Sequence, residues 1–201
     1  PAAPAPNIRV RREIASTATS ETAGDDAFGI FIAAGANAPA LNNSGAITAR
    51  VLGETGNAAA ITDLSNTLAT ITNSGSIVAA VTATDSDAND NIPPPPVTGS
   101  ATAIDVSASS IGVTLEQVAD TAFTDDDTVD DDAATRPPVR ILGDIRLGSG
   151  ADEVRLLAGA IEGDLSFGAG TDLFTINNGA TYTGVLSDSD GALTLNVVNG
   201  T

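Results

Sequence analysis

The sequence predicts an all-β fold of the parallel β-helix kind, and three observations carry that expectation. A unit of 20 residues repeats near the C-terminus, apolar residues alternate within each unit, and helix formers other than Ala and large aromatic side chains are scarce. A unit this short cannot bury its own apolar face, so successive units must stack and share one core.

The repeat runs from Gly143-Asp144-Ile145-Arg146-Leu147-Gly148-Ser149-Gly150-Ala151-Asp152-Glu153-Val154 to Gly163-Asp164-Leu165-Ser166-Phe167-Gly168-Ala169-Gly170-Thr171-Asp172-Leu173-Phe174. Five Gly or Asp positions recur identically, and Ile145 matches Leu165, Leu147 matches Phe167 and Val154 matches Phe174. Pairs such as Ile145-x-Leu147, Val154-x-Leu156, Leu165-x-Phe167 and Phe174-x-Ile176 have the period of a strand. The glycines between them are expected to supply positive-φ turns. A looser unit, Asn43-Ser44-Gly45-Ala46-Ile47, returns 30 residues later as Asn73-Ser74-Gly75-Ser76-Ile77, the spacing of one coil plus an insertion. Ala60 to Leu64 and Ala103 to Ser107 read as further rungs. At this repeat length the chain holds roughly six to eight coils.

Composition supports the same reading. The chain has 201 residues, 42% of them hydrophobic, with five Phe, one Tyr and no Trp, Met or Cys. A core of small equivalent layers fits this better than one centred on aromatic rings, and no disulfide framework exists. The only stretch with a helix-like pattern, Ile111 to Phe123, is expected as a short helix or loop. Residues 1–24 are expected as an N-terminal tail or a cap over the first rung, and 25–201 as the β-helix. Two loops are expected to project from it, at about 84–98 with its Pro93 to Pro96 run and at about 124–138 with six Asp. A Pro run cannot join a central ladder, and an Asp run favours solvent. The chain starts at Pro1 with no leader and no long apolar run, which reads as a mature or excised piece.

The net charge of −18 and the absence of Lys make nucleic acid a poor partner. Three of the eight basic residues crowd together at Arg9, Arg11 and Arg12, where they either balance local charge or pair with acidic loops of the same or another copy. With no His and no Cys, the common nucleophile and imidazole pairs cannot be built. Paired carboxylates remain open to a carbohydrate-active β-helix enzyme, but sugar-stacking aromatics are missing.

The Asn-Ser-Gly-x-Ile turns and the doubled Gly-Asp-φ-x-φ-Gly-x-Gly-x-Asp units (φ apolar) resemble passenger regions of type V autotransporters of Gram-negative bacteria, over about Asn42 to Thr201. The resemblance implies a right-handed parallel β-helix on the cell surface or outside the cell. It also implies a non-catalytic structural or adhesive role toward cell-surface proteins, glycans or copies of itself. Contact with the outer membrane would come only through a C-terminal barrel that this chain does not include.

Gly148-x-Gly150-x-Asp152 and Gly168-x-Gly170-x-Asp172 also resemble half of the nonapeptide that binds Ca²⁺ in the RTX proteins. Asp152 and Asp172 are therefore candidate Ca²⁺ ligands of a calcium-dependent surface-layer or RTX-like assembly module. The alternative is that these Asp side chains cap the backbone at glycine turns. No other cofactor is implied. Asp85-x-Asp87-x-Asn89 begins like an EF-hand loop but fails at Asp90 and Pro96.

Overall fold

A computed structural model describes residues 7–19, 25–84, 94–119 and 138–201. These residues contain strands and turns and no helix. The first coil comprises β1 (Ile8–Val10), β2 (Glu13–Thr19) and β3 (Ala27–Ile32), and the second β4 (Ala40–Asn43), β5 (Ala46–Leu52) and β6 (Ala58–Asp63). The third holds β7 (Thr70–Asn73), β8 (Ser76–Thr82) and β9 (Ala101–Asp105), and the fourth β10 (Thr114–Gln117), β11 (Arg140–Leu142) and β12 (Asp144–Arg146). The fifth holds β13 (Glu153–Leu156), β14 (Ala160–Glu162) and β15 (Leu165–Phe167), and the sixth β16 (Asp172–Ile176), β17 (Thr181–Thr183) and β18 (Leu186–Asp188). Strand β19 (Leu193–Val197) opens a seventh.

Every strand pairs with the strand three places away. The result is a seven-stranded sheet A (β1-β4-β7-β10-β13-β16-β19) and two six-stranded sheets, B (β2 to β17) and C (β3 to β18). All pairings are parallel, so three parallel sheets stack coil over coil, consistent with a parallel β-helix. Equivalent side chains stack in columns: Leu41, Ile71, Leu115, Val154 and Phe174 in sheet A; Ile47, Ile77, Ile141 and Ile161 in sheet B; and Ile61, Ile104, Ile145 and Leu165 in sheet C. All of these are buried and belong to one continuous core. Because Ile77 lies fully buried between Ile47 and Ile141, Ile77→Val removes one methylene from a column that cannot close over it. Chemical denaturation is expected to show a loss of about 1 kcal/mol.

The 20-residue repeat is one coil, with Ile145 over Leu165 and Val154 over Phe174, and Leu147 and Phe167 both buried one residue beyond the paired β12 and β15 positions. The 30-residue spacing is also one coil, a wider one. Ile47 and Ile61 are 14 residues apart along the chain, whereas Ile161 and Leu165 are four apart, so the extra residues lie in the arm between sheets B and C. Coils one to three have this wide arm and coils four to six the narrow one.

Two expectations are corrected. Thr114–Gln117, inside the expected helix or loop, is the central strand β10, because Val113, Leu115 and Gln117 alternate inward and are buried. Glycine also acts in two ways rather than one. Gly143, Gly163 and Gly170 have φ of 115°, 144° and 151°. Gly148 and Gly168 have no positive φ; a Cβ there would collide with the carbonyl oxygen of Ser109 or of Gly148 in the coil before.

Residues read as tail or cap supply β1 and β2, which pair with β4 and β5. The expected loops lie mostly outside the described residues: Thr84, Pro94 to Thr98 and Pro138 are described, and Thr98 N–H donates to the Glu54 carbonyl of the second coil at 2.8 Å.

Candidate functional site

Asp152 and Asp172, the two sequence-predicted Ca²⁺ candidates, occupy the same position in successive coils at the corner between sheets C and A. Asp172 is the first residue of β16, and its side chain points inward with Phe174 and Ile176. Both are almost fully buried, at 2% and 1% exposure. Asp152 Oδ1 accepts the Val113 N–H at 2.7 Å, and Asp172 Oδ1 accepts the Asp152 N–H at 2.8 Å. Each carboxylate therefore caps the coil before it, and each Oδ2 is buried without a hydrogen-bond partner. Burial raises the Asp152 carboxyl to about 6, with the Asp172 charge adding to the rise and the Val113 N–H opposing it. The Asp172 carboxyl is also raised, first by burial and then by Asp188 and Asp190, against the Asp152 N–H. This pair holds protons where ordinary carboxyls have lost them.

The donor set does not suit calcium. The ion takes six to eight oxygens, while one oxygen of each carboxylate already receives an amide proton. Among the described residues no group of three acidic side chains is placed to hold a metal. The other Asp of each unit caps in the opposite direction at the surface: Asp144 Oδ1 accepts the Asp164 N–H at 3.1 Å, and Asp164 Oδ1 accepts the Val185 N–H at 2.8 Å.

A second internal ladder was not singled out from the sequence. At the corner between sheets A and B, Asn43 and Asn73 are in register, as are Asn73 and Gln117, and all three are buried. Asn43 Nδ2 donates to Asn73 Oδ1 at 2.8 Å, and Asn73 Nδ2 to Gln117 Oε1 at 3.1 Å. Gln117 Nε2 ends the chain of amides on the carbonyls of Ala158 and Ala160 at 2.9 and 3.0 Å. Each Asn also accepts an N–H two residues on, from Gly45 or Gly75, the local bond that shapes an Asx turn. The sequence signal is Leu41-x-Asn43, Ile71-x-Asn73 and Leu115-x-Gln117, where strand alternation sends the amide inward.

The Arg-rich turn lies at the edge of a groove of about 310 Å³ on the outer surface, lined by Arg9, Arg11, Asn42, Ser44, Thr72 and Ser74 among others. Compared with known protein families, curated proteins and solved structures, the chain matches none.

Proposed function

We propose that the chain is a right-handed parallel β-helix acting as a non-catalytic structural and adhesive module of a secreted or surface-displayed bacterial protein, of the kind seen in autotransporter passengers. One observation carries the reading: the apolar columns run from coil to coil as one continuous core, with a buried amide ladder tying the second, third and fourth coils together, so the chain is built for length and rigidity. The handedness rests on the strong preference of parallel strand crossovers. The turns that prompted the resemblance, Asn43-Ser44-Gly45 and Gly148-x-Gly150-x-Asp152, lie at the coil corners. Asp152 and Asp172 are enclosed in the stack, where a glycosidic bond has no access to them, so this carboxylate pair does not favour the enzyme reading.

Beads coated with the folded chain should adhere to cells or to glycan surfaces several-fold better than beads coated with the heat-unfolded chain. Equal adhesion would contradict the proposal. The unpaired Oδ2 atoms are the one feature favouring calcium, but the other oxygen of each carboxylate already accepts an amide proton. Excess Ca²⁺ is accordingly expected to leave the melting temperature unchanged, and a clear rise would restore the calcium-dependent assembly reading.

A further inference from the structure

The strand register arranges the groove residues in two outward columns. Arg9 pairs with Asn42 and Asn42 with Thr72. One corner further on, the same register sets Arg11 beside Ser44 and Ser74, with the Ser44 N–H donating to the Val10 carbonyl and the Ser74 N–H to that of Asn43, both at 2.8 Å. Each column thus has a guanidinium at one end and neutral polar groups at the next two steps, about 4.8 Å apart, and the Glu116 that follows Thr72 is paired with Arg155. The Ser44 and Ser74 hydroxyls donate to the same two carbonyls at 3.4 Å, which leaves their oxygens free to accept.

The charge of this track is unusual for the molecule. Arg9 and Arg11 are exposed and make no ion pair among the described residues, whereas Arg155 is held by Glu116 at 2.7 Å. A protein of net charge −18 repels a polyanion. A ligand carrying one negative group meets the local guanidinium pair instead, because charges beyond about 8 Å are screened at physiological salt. Guanidinium forks suit a carboxylate, and amides and hydroxyls in file suit the hydroxyl groups of a sugar chain.

We propose that this track binds a short oligosaccharide with a single terminal carboxylate. The acid lies between Arg9 and Arg11, and the neutral sugars run along Asn42, Thr72, Ser44 and Ser74. The inference deepens the adhesive reading by giving it a ligand class, and it rests on that reading only for its biological use.

The test is an NMR titration of the full chain with three probes: a trisaccharide ending in glucuronic acid, its neutral counterpart ending in glucose, and inorganic sulfate. The acidic trisaccharide should shift amides of β1, β4 and β7 and bind at least about tenfold more tightly than either other probe. Arg9→Gln with Arg11→Gln should abolish the difference between acidic and neutral sugars. Thr72→Val should weaken the trisaccharide several-fold and leave sulfate binding unchanged. Sulfate binding as tight as the trisaccharide, shifts elsewhere on the stack, or a double Arg variant that binds normally while melting like the parent would each overturn the proposal. Failure here with bead adhesion intact would remove this ligand and leave the scaffold reading in place.

Discussion

Asn73→Ala is expected to cost about 4 kcal/mol, measured by chemical denaturation. The side chain is fully buried and lies at the centre of the amide ladder. Its removal strands the Gly75 N–H, one amide hydrogen of Asn43 and the Gln117 Oε1, and each buried polar group left without a partner costs about 1–3 kcal/mol. Neighbouring carbonyls at Ser76, Ala158 and Ala160 keep part of the network satisfied, which holds the total below the simple sum. Asn73→Asp distinguishes a bonding role from a filling one. The shape is preserved, but the Nδ2 that donates to Gln117 Oε1 and to the Gly75 and Arg140 carbonyls becomes an acceptor facing acceptors. It should destabilise at least as much as Asn73→Ala at neutral pH; a harmless Asn73→Asp would mean that the ladder only fills space.

The aspartate ladder gives a pH dependence opposite in sign to that of most carboxylates. Asp152 has its carboxyl raised from 3.8 to about 6 in the folded chain. Below 3.8 both states hold the proton; between 3.8 and about 6 only the folded state does, so folding is favoured by proton uptake. The stability is therefore complete at low pH and is lost as pH rises through about 6, with a total change of about 3 kcal/mol. Asp152→Asn keeps an oxygen for the Val113 N–H and has no charge to bury. Its Nδ2 takes the place of the unpaired Oδ2 and offsets about 1–3 kcal/mol of that gain, so at pH 7.5 it is expected to melt at most a few °C above the parent, with the difference falling as the pH falls toward 4. General relief of acidic repulsion would affect both proteins alike, so the difference between their pH profiles isolates this residue. A difference in melting temperature between variant and parent that stays the same from pH 4 to pH 7.5 would refute the assignment.

The sequence was most legible where coils are narrow. In the 20-residue coils nearly every position has a structural equivalent one coil later, so Ile145 and Leu165 or Val154 and Phe174 announce themselves as partners. The wide coils hide this. Asn43 and Asn73 align cleanly, but the extra residues fall between β5 and β6, in strands that lengthen rather than in a separate loop. The stretch after Ile111 imitates a helix because a strand of four residues is too short for alternation to outweigh chance spacing. Only its neighbours β7 and β13 fix it as β10. The Asn-Ser-Gly motif was readable as a turn, yet its buried amide required knowing that another amide lies above. The Arg9 and Arg11 track required β1 to be part of the stack, which three residues could not reveal alone.

The stacked fold requires consecutive coils to lie in register, one directly over the next. The chain has no cysteine, so engineered pairs report the register without background. Arg146 and Ser166 are direct partners in β12 and β15, and Ser187 lies one strand further on, opposite Ser166. Parallel neighbours have Cα atoms about 4.8 Å apart, within disulfide range, and strands two steps away are about twice as far, outside it. Arg146→Cys with Ser166→Cys should oxidise to completion in the folded chain without loss of stability, while Arg146→Cys with Ser187→Cys should stay reduced. A bond that forms in the second pair as readily as in the first, or in neither, would contradict the stacked architecture.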